Sequence, residues 1–127
     1  MASLCSTLLL VLSALYVAAA DLQVWGIRGY GIKGDMLSKP DPYVKVYCGS
    51  TFGGMTEFKT SDPNPIWSTS FRFPDGKVGN FLKLELWDRD LLFDNRLGTC
   101  KAMVKQNTSA KVTCSMRKGE LEFYYGL

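Results

Sequence analysis

Two short stretches of this sequence concentrate oxygen donors. The first is Gly34-Asp35-Met36-Leu37-Ser38-Lys39-Pro40-Asp41, and the second is Asp88-Arg89-Asp90-Leu91-Leu92-Phe93-Asp94-Asn95. Asp35, Asp41, Asp88, Asp90 and Asp94 bring carboxylates, and Asn95 adds a carboxamide. Carboxylates held close together repel one another and are costly without a cation. Hard oxygen donors on loops suit calcium, which accepts roughly six to eight oxygens in loose geometry. The two stretches are therefore expected to meet in space as one calcium site. Apolar residues interrupt both: Met36 and Leu37 in the first, Leu91, Leu92 and Phe93 in the second. Their place beside the expected metal favours insertion into a bilayer once an ion neutralises the aspartates. The alternative is that they fold back and cap the core.

The remaining composition narrows the chemistry. There is no histidine, which removes Ser-His-Asp and Cys-His catalysis and most zinc sites. No pair of nucleophile and base stands out, so the chain is expected to be no enzyme and to take no small-molecule substrate. Fifteen bases face twelve acids. Setting the five loop aspartates aside leaves seven acids, so the body is basic and the loop end acidic. A basic body favours anionic surfaces such as lipid headgroups. Nucleic acid is not expected as a partner. Lys45, Lys59 and Lys83 can add headgroup attraction or simply form a solvated face.

Positioning such loops requires rigid elements. Met1 to Ala20 carries the apolar run Leu8 to Val17 and the small residues Ala18-Ala19-Ala20, the pattern of a secretory signal peptide, although no Lys or Arg precedes the run. Residues 21–127 are then the mature domain, expected to be secreted. Within it the pattern is short strands and turns. Trp67, Thr69, Phe71 and Phe73 alternate with Ser68, Ser70 and Arg72, and Leu82, Leu84 and Leu86 alternate with Phe81, Lys83 and Glu85. Period-two alternation marks strands with one buried face. Eight strands are expected: Leu22 to Ile27, Tyr43 to Cys48, Met55 to Thr60, Trp67 to Phe73, Phe81 to Trp87, Leu97 to Val104, Ala110 to Cys114 and Leu121 to Tyr125. Gly53-Gly54, Asp62-Pro63-Asn64-Pro65, Pro74-Asp75-Gly76 and Lys118-Gly119 supply turns. No helical period follows the signal. The expected fold is all-β, an eight-stranded antiparallel sandwich.

Cys5 would leave with the signal. If the hairpin after Leu97 to Val104 pivots on Asn107, Cys100 faces Cys114. Directly opposed residues lie about 5.5 Å apart, which suits a disulfide. Cys48 remains, as a buried inert thiol or as a bridge to a partner chain. Asn107-Thr108-Ser109 is a glycosylation sequon at the expected hairpin tip.

The order of motifs resembles the C2 domain, a calcium-dependent lipid-binding sandwich. Asp41-Pro42-Tyr43-Val44-Lys45-Val46, Asn64-Pro65-Ile66-Trp67, Leu84-Glu85-Leu86-Trp87-Asp88-Arg89-Asp90 and Leu97-Gly98 carry the resemblance. Leu97-Gly98-Thr99-Cys100, Val112-Thr113-Cys114 and Gly119-Glu120-Leu121-Glu122-Phe123 are similar to the C2 domain that closes the perforins, whose pore-forming portion is not matched. The resemblance implies calcium ligands at Asp35, Asp41, Asp88 and Asp90, with Asp94 or Asn95 at the end of the second acidic stretch. It also implies peripheral, calcium-dependent binding to phospholipid membranes, in a setting of defence or cytolysis. A strand of the Gly-x-Leu-x-Phe kind comes last, which implies the circularly permuted, type II arrangement. A second reading is a secreted protein-interaction module with degenerate calcium binding, gripping a partner through its basic faces or Cys48.

Overall fold

The computed structural model describes residues 21–35, 38–105 and 109–127. The expected signal segment, Met36, Leu37 and Asn107 lie outside the described residues. Eight strands form: β1 (Leu22–Tyr30), β2 (Pro42–Cys48), β3 (Thr51–Met55), β4 (Phe71–Phe73), β5 (Phe81–Asp88), β6 (Asn95–Met103), β7 (Ala110–Met116) and β8 (Gly119–Gly126). They make two four-stranded antiparallel sheets, ordered β4-β1-β8-β7 and β3-β2-β5-β6. The all-β sandwich expected from the alternation is the fold observed.

The alternating residues supply the core. Leu82, Leu84 and Leu86 of β5 are fully buried, as are Val44 and Val46 of β2 and Leu121 and Phe123 of β8. Each lies on the inward face of its strand, because successive side chains point to opposite faces of a sheet. Trp67 also enters the core, although its strand is shorter than expected: only Phe71–Phe73 pairs with β1. Trp67 is instead held by its own N–H on the Ile27 carbonyl, 3.0 Å, and its indole N–H on the Glu57 carbonyl, 2.8 Å.

Two further local expectations are corrected. Gly53-Gly54 makes no turn; it sits inside β3, upstream of the expected strand at 55–60. The ladder with β2 shifts register between Val46 and Tyr47, and Gly54 takes φ +124°. A Cβ on Gly53 would collide with the Phe73 ring. The glycines leave room for core phenylalanines of the facing sheet.

The second correction concerns the cysteines. Cys100 and Cys114 are bridged, with Cα atoms 5.7 Å apart. Their strands, however, do not pair as a hairpin. β6 bonds to β5, and β7 bonds to β8. They are edge strands of opposite sheets, so the disulfide clamps the sandwich shut along one side. Inward faces of opposite sheets also meet, which is why the pairing came out right with the wrong register. Cys48 is a free, buried thiol, and burial pushes its pKa up.

Candidate metal centre

The two acidic stretches converge because β2 and β5 are neighbours that end together. Pro42 pairs with Asp88 and Tyr43 with Trp87. The residue before β2, Asp41, thus stands beside the last residue of β5. Its N–H donates to Asp88 Oδ1 at 2.8 Å, and the Arg89 N–H donates to the Asp41 carbonyl at 2.9 Å. The loop after β3 joins them: the Ser61 N–H donates to Asp41 Oδ1 at 2.7 Å, from a left-handed backbone with φ 49°. A non-glycine residue in that region is uncommon and marks a local constraint.

Asp35, Asp41, Asp88 and Asp90 line one cleft of about 420 Å³, together with Ser38, Lys39, Phe58, Ser61 and Arg89. Asp88 is buried, and its pKa is raised above the ordinary carboxylate range. Burial is the first cause; the charges of Asp35, Asp41 and Asp90 add to it, while the Asp41 N–H opposes it. The ionised form of Asp88 is therefore short of positive partners. A carboxylate pair of oxygens offers about four acceptor positions, and the Asp41 N–H takes one.

Asp94 and Asn95 are placed differently. Asp94 lines a neighbouring hollow with Tyr43, Lys45, Phe58 and Arg89. Its Oδ2 accepts from the Tyr43 hydroxyl at 2.5 Å, and its Oδ1 accepts from the Asp90 N–H at 3.2 Å. The Tyr43 hydroxyl, then the Asp90 N–H, lower its pKa below the ordinary range. Asn95 opens β6 opposite Asp88. Asp62 plays a turn role, with Oδ1 accepting the Asn64 N–H at 2.9 Å.

Leu91, Leu92 and Phe93 project into solvent, 100 %, 85 % and 79 % exposed. Folding back onto the core is thereby ruled out for these three. Lys45 and Lys83 lie over aromatic rings, 4.1 Å from the Trp87 centroid and 4.5 Å from that of Tyr47. Lys59 pairs with Glu57 at 3.0 Å.

Among the described residues, no three acidic or cysteine side chains stand at metal-holding spacing. The four cleft carboxylates are looser than that. Their chemistry nonetheless fits calcium: hard oxygens from separate loops, around a buried carboxylate that makes no ion pair among the described residues.

A C2 domain family model matches residues 18–118. The chain belongs to the C2 domain family. Perforin-1 of Homo sapiens is 38 % identical to it over 113 residues, covering 84 % of this chain and 19 % of that protein. This C2 chain thus spans about a fifth of the perforin it matches. A solved structure described as a C2 domain superposes with a TM-score of 0.80 at 31 % identity, covering 84 % of this chain and 96 % of the other. Calcium-bound Extended-Synaptotagmin 2, with its C2A and C2B domains, superposes at 0.70 and 20 % identity, covering 85 % and 45 %; at that identity it shows the shared fold alone.

Several cleft residues of this C2 domain were not singled out from the sequence. Ser61 contributes through its backbone N–H, which no side-chain pattern announces. The usable signal was the polar run Thr60-Ser61-Asp62, which must reach the same end of the sandwich as the acidic loops. Arg89, with its guanidinium 4.0 Å from the Phe58 centroid, forms a wall between the two hollows.

Proposed function

We propose that this chain is a secreted, calcium-dependent module that docks on phospholipid membranes by its loop end and catalyses no reaction. One observation carries the reading. Three fully or largely exposed apolar side chains, Leu91 to Phe93, stand beside a cleft of four aspartates in which Asp88 makes no ion pair among the described residues. Exposed apolar clusters rimmed by polar residues mark interaction surfaces. Asp35, Asp41, Asp88 and Asp90 are the ligands we assign, and Met36 and Leu37 of the first acidic stretch belong to the same reading as membrane contacts. Bound calcium supplies positive charge at the cleft. The chain's own residues do the rest. The aspartates repel anionic headgroups while uncompensated; once compensated, the basic body attracts over the Debye length of about 8 Å, and the tip leaves water.

The strand order supports the permuted, type II arrangement, since β8 lies between β1 and β7 in the middle of its sheet. The Cys100–Cys114 bridge is compatible with export to an oxidising compartment. An Asn107 glycan and removal of residues 1–20 belong to the same reading. A role in defence or cytolysis rests on the similarity to perforin. The protein-partner reading through Cys48 has less support, because that thiol is buried.

Co-sedimentation with anionic and with zwitterionic vesicles, in calcium and in chelator, tests the function. Calcium should drive the protein into the vesicle pellet, and chelator should release it. Equal sedimentation in both would remove calcium dependence and leave the partner-binding reading.

A further inference from the structure

The tip of the loop joining β5 to β6 takes its place without packing on the core. Leu91, Leu92 and Phe93 bury almost none of their surface. Fixing backbone still costs conformational entropy, so something other than core contact must hold this loop. Asp94 has both carboxylate oxygens engaged, by the Tyr43 hydroxyl at 2.5 Å and the Asp90 N–H at 3.2 Å. One bond closes the loop on itself around the apolar tip. The other anchors it to β2, two residues beyond Asp41. Asp94 also belongs to the hollow on the Lys45 side of Arg89, while the other four aspartates share the cleft.

We propose that Asp94 is a positioning residue and not a metal ligand: with Tyr43 it forms a strut that fixes the apolar tip relative to β2. The inference rests on the calcium-site reading above and divides its residues into two jobs. A ligand must turn its oxygens to the ion. A strut must keep them on protein donors, and hydrogen bonds to charged acceptors are the stronger kind. Asp94→Asn keeps the size but turns one of the two accepting oxygens into an NH2 donor and removes the charge. Tyr43→Phe removes the hydroxyl and leaves the ring stacked on Trp87, whose centroid is 6.4 Å away.

Three measurements on the mature chain test this. Calorimetric titration with calcium should give Asp94→Asn and Tyr43→Phe dissociation constants within about twofold of the parent and the same stoichiometry, whereas Asp90→Asn weakens binding about tenfold or more, since each lost charged contact is worth about a factor of ten. Hydrogen exchange in chelator should show the Asp90 amide, which donates to Asp94 Oδ1, exchanging about tenfold faster in both variants, with no further gain in the double variant, because the Tyr43 bond is what holds that carboxylate. Vesicle affinity at saturating calcium should fall in both, at unchanged thermal midpoint. Loss of calcium affinity or of an ion in Asp94→Asn, matching Asp90→Asn, overturns the strut. Unchanged exchange in Tyr43→Phe overturns it too. A parent chain that binds no calcium would defeat the proposed function, while the exchange experiment in chelator would still decide the strut.

Discussion

Asp88, Glu85 and Glu122 are equally buried, at 5 %, 6 % and 7 % exposure, yet their surroundings are opposite. Glu122 accepts from Lys111 Nζ at 2.8 Å and from the Tyr30 hydroxyl at 3.4 Å. The Lys111 hydrogen bond, more than any other contact, lowers its pKa. Glu85 accepts from Arg96 at 3.2 Å and from the Trp87 indole at 3.3 Å, with Lys83 Nζ at 3.9 Å. Asp88 has one backbone donor and three carboxylate neighbours. Burial alone therefore does not distinguish a structural acid from a functional one. The two glutamates on the sheet faces are ion-paired; Asp88 makes no ion pair among the described residues.

The strongest way to break this contrast is to remove charge from the loop end. Calcium should raise the melting temperature of the parent chain, and Asp88→Asn with Asp90→Asn should abolish that rise. Ligand binding to the native state contributes about 2.7 kcal/mol at a hundredfold excess over the dissociation constant. Affinity near ~10⁻⁴–10⁻³ M, as in extracellular modules, puts such an excess within reach of tens of millimolar calcium. Differential scanning calorimetry in calcium and in chelator reads the effect, and a persisting shift would show that the ion binds elsewhere.

Phe93→Ala should separate the two properties of the loop end. Burying a Phe side chain is worth about 1.5–3 kcal/mol, so vesicle affinity should fall roughly tenfold to a hundredfold. Calcium's thermal stabilisation should stay, since the ring touches no ligand. Vesicle binding equal to the parent's would point to electrostatic bridging in place of insertion.

A smaller effect sharpens the contrast from the other side. In chelator at neutral pH, Glu122→Gln should lower the melting midpoint, while Asp88→Asn should leave it unchanged or raise it. One substitution removes a compensated charge, the other an uncompensated one. The paired lysine is half exposed, so the Glu122 effect belongs to the modest class of partly solvated ion pairs. If both variants fall alike, the asymmetry between the regions is not electrostatic.

The smallest effect is in pH. Glu122 has a folded pKa below its ordinary value of 4.5. Its contribution is complete above that ordinary value and is lost as pH falls through the lower, folded one. The difference in stability between parent and Glu122→Gln should therefore shrink in acid below about 4.5, by the same linkage. A constant difference across that range would assign the effect to packing.

The sequence reading succeeded where one residue type has one structural use. Leu82, Leu84 and Leu86 alternate with polar neighbours and are all buried, and Asp41 and Asp88 flank strands whose motifs place them together. It failed where a residue has two uses. Glycine pairs mark turns, yet Gly53-Gly54 serves a strand because Phe71 and Phe73 occupy the space of absent side chains. Successive strands pair about two-thirds of the time, yet β6 and β7 belong to different sheets. The Tyr43–Asp94 bond joins residues 51 apart and rests on which way one carboxylate turns, which no spacing rule encodes.

The clamp between β6 and β7 has a further consequence wherever the chain meets a protease. The covalent ring it closes contains Lys105, a cleavage point for trypsin-like proteases, in the connection between the two strands. A nick there would not release a fragment. The downstream piece would stay attached by sulfur to Cys100 of the other sheet and by the β1–β8 ladder to β1 of its own. Such a nick would show as a split band on a reducing gel and as a single band without reductant, so a cut chain stays one molecule until its disulfide is reduced.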